Sequence, residues 1–316
     1  MTNEEIVALL RKDMEGEHQA IIQYLNHAYT MGREDLAPEI EAIAREEMRH
    51  FDWLADLVGE LGGDPSMGRD PVDFRRAPAP EQMRKDVGLE VTAVAQYRAH
   101  IEAIPNERVR QVLSRILHDE QAHQAIFEGL VEAATQEPCE GVAAETTAAP
   151  TKPPARLFEI LNEGVRHEYT VILQYLYHSF MAEDKELMEG LQNVAINEMQ
   201  HMGWLSEEVA EKGGQPDMEH TALFLSGDAA KNLEADIAVE REVTRAYNAQ
   251  LPEIEDPDVA ELIERIRDHE IFHDQEFGYL LSEVQDEADG AAADTGAPED
   301  KTPPAIPSVG SLKGKD

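Results

Sequence analysis

The chain repeats itself, and no other feature of the sequence constrains its fold as strongly. EHQAIIQYLNHAY (17–29) aligns with EYTVILQYLYHSF (168–180), EEMRHFDWL (46–54) with NEMQHMGWL (197–205), and LVGELGGDPSM with EVAEKGGQPDM. The offset is 151 early in the block (168 − 17) and 150 later (273 − 123). At 316 residues there is room for about two domains, and the repeat makes them copies of one another. Whatever one block folds into, the other must fold into as well.

Each block reads as helix throughout. In VALLRKDMEGEHQAIIQYLNHAY the apolar residues recur at three- and four-residue spacing, and no strand-like alternation persists. Pro and Gly cluster at GGDPSMGRDP, IPN, GGQPD and LPEIEDP, which leaves helices near 2–31, 35–61, 81–104 and 106–134, then 154–182, 184–212, 229–251 and 257–286. The connections are short except the second in each block, which starts at a Gly-Gly pair (62–63 and 213–214). The expected architecture is all-α, two tandem four-helix bundles, each with one long crossover. Bundle one spans 1–134 and bundle two 156–286, with a Pro- and Ala-rich flexible linker at 135–155 and a disordered C-terminal tail at 287–316.

Six polar residues recur at fixed places. In the first block they are Glu17, Glu47, His50, Glu90, Glu120 and His123; in the second, Glu168, Glu198, His201, Glu240, Glu270 and His273. Inside a block there is a further symmetry, because Glu17 to Glu47 and Glu90 to Glu120 are both 30 residues apart. Helices one and three thus supply a lone Glu, and helices two and four supply Glu-x-x-His. Residues at i and i+3 share a helix face, so Glu47 and His50 can hold one metal together. The neighbours of Glu17 are apolar (Ile21, Ile22, Leu25), which places it beside a core stripe. Four carboxylates in one core are costly unless compensated. Two divalent cations compensate them, and the imidazoles add ligation without charge. Carboxylate-rich, thiolate-free ligation suits Fe or Mn better than Zn or Cu.

Composition excludes several alternatives. The single cysteine, Cys139, rules out a disulfide framework, a Cys₄ iron centre and a cysteine-ligated zinc finger. A net charge of −38 repels phosphate backbones and anionic lipid, so neither nucleic acid nor a membrane is an expected partner. The polar, acidic N-terminus does not read as a signal peptide, and no apolar run is long enough to cross a bilayer.

The six-residue set resembles the ferritin-like di-iron/di-manganese carboxylate proteins. More closely, each block is similar to bacterioferritin. The lone Glu followed six and seven residues on by Gln-Tyr (Glu17, Gln23, Tyr24) matches its first helix, and Glu-Met-x-His (47–50) its second. The resemblance implies two dinuclear iron centres, with Glu17 and Glu90 as terminal carboxylates, Glu47 and Glu120 bridging, and His50 and His123 holding one metal each. Glu168, Glu240, Glu198, Glu270, His201 and His273 repeat those roles. It further implies a ferroxidase that oxidises Fe(II) with O₂ or H₂O₂ for iron storage and detoxification.

Other residues carry finer expectations. Tyr24, Tyr97, Tyr175 and Tyr247 each lie seven residues beyond a ligand Glu, either as phenols hydrogen-bonded to the site or as ordinary core. The residue before each bridging Glu is a candidate to hold the opposite His in its tautomer. It is Glu46 or Asp119 in block one but Asn197 or His269 in block two, so the centres are expected to differ in affinity or redox behaviour. Met48 and Met199 sit where bacterioferritin places its haem-ligating Met, and would sandwich one haem b if the bundles pack as a pseudo-dimer; plain packing is the alternative. The remaining histidines (18, 27, 100, 118, 167, 178, 220) show no consistent pairing, and Trp53 and Trp204 read as core.

The C-terminal IPSVGSLKGKD spaces Ile306, Val309 and Leu312 three residues apart and is similar to the cargo-loading peptide of encapsulin nanocompartments. It implies an encapsulin shell as partner, and with it a cytoplasmic nanocompartment. A homo-oligomer is also expected. Two other readings of the same ligands stand beside the ferroxidase: a manganese catalase or rubrerythrin-like peroxidase consuming H₂O₂, and a non-catalytic iron- or haem-binding protein.

Overall fold

The computed structural model describes residues 1–136 and 155–292, with side chains to residue 286. The expected linker and tail, and with them Ile306, Val309 and Leu312, fall largely outside the described residues. Eight α-helices run in order: α1 (Asn3–Thr30), α2 (Ala37–Glu60), α3 (Ala79–Ala103), α4 (Glu107–Thr135), α5 (Ala155–Met181), α6 (Lys185–Glu211), α7 (Ala229–Gln250) and α8 (Pro257–Ala292). No strand occurs among the described residues.

Local chemistry starts and stops these helices. Thr2 caps α1 in a reciprocal capping box with Glu5, while Asn106, Asp184 and Asp228 accept from backbone N–H groups at the starts of α4, α6 and α7. The repeated Gly-Gly pairs serve two needs at once. Gly62 and Gly213 adopt φ of 79° and 82°, the left-handed conformation that ends α2 and α6. Gly63 packs so closely on α1 that a Cβ there would lie 2.7 Å from Val7 Cγ1, and Gly214 meets Phe158 of α5 in the same way. The first glycine turns the chain, and the second lets the crossover run against the helix beneath it.

Within bundle one, α1 pairs with α2 and α3 with α4; in bundle two, α5 pairs with α6 and α7 with α8. The crossovers, 61–78 and 212–228, carry the chain from the second helix to the third. The bundles pack on each other through α1 and α2 against α5 and α6, so the apolar core of bundle one continues across the seam. Residues related by the repeat meet there. His18 donates from Nδ1 to Gly68 O (3.0 Å), which leaves Nε2 to accept from the Tyr169 hydroxyl at 2.7 Å. Tyr169 occupies the position equivalent to His18 (169 − 18 = 151). Arg69 of the first crossover donates to that hydroxyl (3.1 Å) and pairs with Glu219 of the second at 2.7 Å. The apolar part of the seam is built from Ile22, Phe51, Leu173, Phe180 and Met202.

Candidate metal centres

Each bundle gathers its six recurrent residues in the middle of its core. Glu17, Glu47, His50 and Glu120 form one group whose ligand atoms lie within 4.8 Å of each other, and Glu47, Glu90, Glu120 and His123 form a second. Glu47 and Glu120 belong to both groups, which is the arrangement two bridging carboxylates require. Bundle two reproduces it with Glu168, Glu198, His201 and Glu270, and with Glu198, Glu240, Glu270 and His273. All twelve side chains are buried.

The imidazoles are oriented alike. His50 Nδ1 points inward, 2.7 Å from Glu47 and 2.9 Å from Glu120, and His123 Nδ1 lies 2.9 Å from Glu47. His201 and His273 do the same, 2.7 Å and 2.8 Å from Glu198. Nε2 of each ring is left to face away from the site.

The charge balance of this core is unfavourable without cations. Burial, with repulsion from neighbouring carboxylates, pushes Glu17 and Glu90 well above the usual range and Glu120 up to about 7. Burial also acts upward on Glu47, but hydrogen bonds from His123 and His50 outweigh it and hold this carboxyl down at about 2. Burial opposes a charge on His123, yet the Glu47 and Glu46 carboxylates raise it to about 9, and Glu198 with Glu270 likewise raises His273 to about 9. Even so, buried ligand atoms remain without aligned hydrogen-bond partners, among them Glu47 Oε1, Glu90 Oε2, Glu120 Oε1, Glu198 Oε1 and Oε2, Glu240 Oε2 and Glu270 Oε1. Such inward lone pairs are costly in a core and fit hard cations with a preference for oxygen and imidazole.

The four tyrosines are buried, and every one donates to the terminal carboxylate of the opposite helix. Tyr24 reaches Glu90 at 2.5 Å and Tyr97 reaches Glu17; Tyr175 reaches Glu240 and Tyr247 reaches Glu168 at 2.6 Å. Each hydroxyl satisfies one oxygen of its Glu and leaves the other to the site.

Behind the imidazoles the bundles differ. Glu46 accepts from His123 Nε2 at 2.8 Å, and Asp119 lies 3.6 Å from His50 Nε2. In bundle two His269 Nδ1 takes the place of Asp119, 2.9 Å from His201 Nε2. Burial, then the nearby His201 and His273, lowers His269 to about 4, so it faces His201 as a neutral ring. Asn197 turns back to the carbonyl of Asn193 at 3.0 Å instead of reaching His273.

The structure corrects one expectation from sequence and refines another. His27 and His178 are a consistent pair, both buried, with Nδ1 bonded to Asp86 at 2.8 Å and to Asp236 at 2.9 Å. Gln23 and Gln174 join these pairs and also clamp the crossovers at Asp73 and Phe224. A third such group, Asp13 with His100 and Gln96, lies at the other end of bundle one. The signal was present, because 27 and 178 obey the offset of 151 and 86 and 236 that of 150. Trp53 and Trp204 pack against the apolar core as expected, although each is only partly buried. They flank His50 and His201, with ring centroids 5.8 and 5.7 Å apart, because they follow the ligand by three residues on one helix face.

Met48 and Met199 converge on the seam between the bundles. Both line a narrow, partly open cavity of about 70 Å³ and the adjoining cleft of about 1280 Å³ between α2 and α6. The narrow part is far smaller than the ~300 Å³ from which cofactor pockets begin. Only the cleft has room for a porphyrin.

The ferritin-like domain family model matches the chain twice, at residues 7–136 and 158–286. The chain is similar to the bacterioferritin of Desulfovibrio desulfuricans, 26% identical over 132 residues that make up 40% of this chain and 74% of that protein. It is also similar to the X-ray structure of Desulfovibrio desulfuricans bacterioferritin, which concerns that protein's diiron site in different catalytic states. There the identity is 25% and the TM-score 0.39, over 46% of this chain and 96% of that one.

Proposed function

The chain belongs to the ferritin-like domain family, and from that premise we propose that it is a ferroxidase with two centres, each oxidising a pair of Fe²⁺ ions to Fe³⁺. One observation carries this reading: in each bundle four buried Glu and two buried His form two overlapping groups that share two carboxylates. Two ions held side by side can deliver two electrons together, to O₂ with two protons giving H₂O₂, or to H₂O₂ with two protons giving two H₂O.

This chain's residues bind, orient and neutralise. Glu47 and Glu120, shared by both groups, would span both ions, while Glu17 with His50 and Glu90 with His123 would each complete one side. Tyr24 and Tyr97 keep the terminal carboxylates turned toward the site. Protons held at the metal-free site by Glu17, Glu90 and the imidazoles must leave as Fe²⁺ enters. The net charge of −38 raises the local concentration of cations.

The test is anaerobic Fe²⁺ addition to the metal-free chain, followed by O₂. Saturation at four ions per chain and oxidation of all four support the reading. A chain that purifies with manganese and rapidly evolves O₂ from H₂O₂ would instead be a catalase. A second reading, a haem b bound in the cleft between the bundles, is supported by Met48 and Met199 both lining that cleft; a Soret band lost in Met48→Leu/Met199→Leu tests it.

The C-terminal peptide with Ile306, Val309 and Leu312 supports, from sequence alone, the further proposal that oligomers of the chain load into an encapsulin shell in the cytoplasm. Deleting residues 306–316 should abolish co-purification with a co-expressed shell protein.

A further inference from the structure

We propose that the two centres are unequal by design of their surroundings: bundle one binds divalent metal more tightly, and the residues preceding the bridging carboxylates set the difference. This inference rests on the two-centre reading above. The ligand sets are the same in kind and number, so the inequality has to come from what lies behind them.

In bundle one a carboxylate stands behind each imidazole. Glu46 accepts from His123 Nε2 at 2.8 Å, and Asp119 lies 3.6 Å from His50 Nε2. Each is held in place from outside by an arginine, Arg49 on Glu46 at 2.7 Å and Arg115 on Asp119 at 3.0 Å. A carboxylate behind an imidazole fixes its tautomer, makes its inner nitrogen a better donor and adds negative charge close to the cation. In bundle two both acids are gone. His269 offers His201 a ring nitrogen at 2.9 Å, which orients it without adding charge. Asn197 bonds to its own helix at 3.0 Å instead of reaching His273, and Glu276, one turn along α8, acts on that imidazole only through its charge. The counterpart of Arg115 is Arg265 (265 − 115 = 150). With no acid there to hold, Arg265 lies over the Trp204 ring at 4.4 Å instead. The substitution has propagated to the neighbouring side chains.

Partners of this kind typically change metal affinity by about 10–100-fold each. At metal concentrations between the two affinities, bundle one would be filled and bundle two would exchange freely.

An exchange of surroundings tests this. Co²⁺, which does not turn over under anaerobic conditions, is added to the metal-free full-length chain and followed by calorimetry and by its visible absorption. The wild type should bind in two classes of two ions, separated at least 10-fold. Glu47→Ala/Glu120→Ala should remove the tight class and leave the weak one. Glu46→Asn/Asp119→His, which gives bundle one the surroundings of bundle two, should merge the tight class into the weak. The reverse exchange, Asn197→Glu/His269→Asp, should merge the weak class into the tight. Asn197→Glu alone, at a half-buried position, covers the case in which the double variant does not fold, and should tighten one of the two weak ions. Four ions binding in one class in the wild type, or two classes unmoved by both exchanges, would overturn the inequality and leave the metal centres standing. Failure to bind any Co²⁺ would overturn the centres themselves.

Discussion

In bundle one the polar residues of α1 answer those of α3 across an internal two-fold. Asp13, Glu17, Gln23, Tyr24 and His27 recur as Asp86, Glu90, Gln96, Tyr97 and His100, 73 residues on (90 − 17). Bundle two keeps only part of this. Glu168 and Glu240 remain, as do Tyr175 and Tyr247, and one Asp–His–Gln group survives as Asp236, His178 and Gln174. The other has become Gly164, Gln250 and Ala246, and a Cβ at Gly164 would already sit 2.9 Å from Leu205. Between two copies in one chain, the groups that touch the site are the same and the groups one step outside it differ. The chemistry of the centre is therefore separable from the packing and charge that tune it.

The sharpest break of that comparison removes one centre at a time. Glu198→Ala/Glu270→Ala should halve iron uptake from four ions to two per chain, and adding Glu47→Ala/Glu120→Ala should abolish it, as read by anaerobic Fe²⁺ titration. Next in size are the buried pairs. His27→Leu strands Asp86 without its partner in a dry core, and should cost about 3–5 kcal/mol in chemical denaturation. The smaller replacement Asp13→Gly/His100→Gln copies what bundle two already carries, at a group whose His is partly exposed, and should cost less than about 1.5 kcal/mol.

A further experiment tests a likeness rather than a difference. In the metal-free chain His123 and His273 sit at about 9, against 6.5 for the free side chain, and Glu120 at about 7 against 4.5. Groups raised on folding contribute their full stability below the unfolded pKa and lose it as pH climbs through the folded one. Calorimetry in the presence of a chelator should therefore show both bundles losing stability between pH 6.5 and 9. With Co²⁺ bound the profile should flatten, because the cation takes the place of the protons. A metal-free chain that gains stability over that range would contradict the proton inventory of both sites.

Much of this was legible in the sequence, for a physical reason. Apolar periodicity and the Pro/Gly clusters delimit helices to within about two residues at most ends, since caps and glycines act locally. The twelve ligands stand out because the chain states the same spacing twice. What escaped depends on register between helices distant in sequence. That Tyr97 reaches Glu17 rather than Glu90, or that His27 meets Asp86, follows from how α1 lies against α3, and no local rule supplies it. The tryptophans pack on the core as read, and only their partial exposure escaped, for a related reason. An indole three residues after a ligand looks like core in a helical pattern, but the side of the helix next to the imidazole is only half covered.

The seam has a last consequence, in terms of concentration. Contacts such as Tyr169 with His18 and Arg69 with Glu219 bring together two bundles that one polypeptide already joins. Were the halves separate subunits, their pairing would weaken with dilution and follow mass action. Tethered, each sees the other at an effective concentration in about the millimolar range, whatever the amount of protein present. Pairing of the two halves thus becomes a first-order event, and the cleft between them exists in a single isolated chain. The two different halves, if separate, would also scramble into like pairs; a fused chain always presents one bundle of each kind.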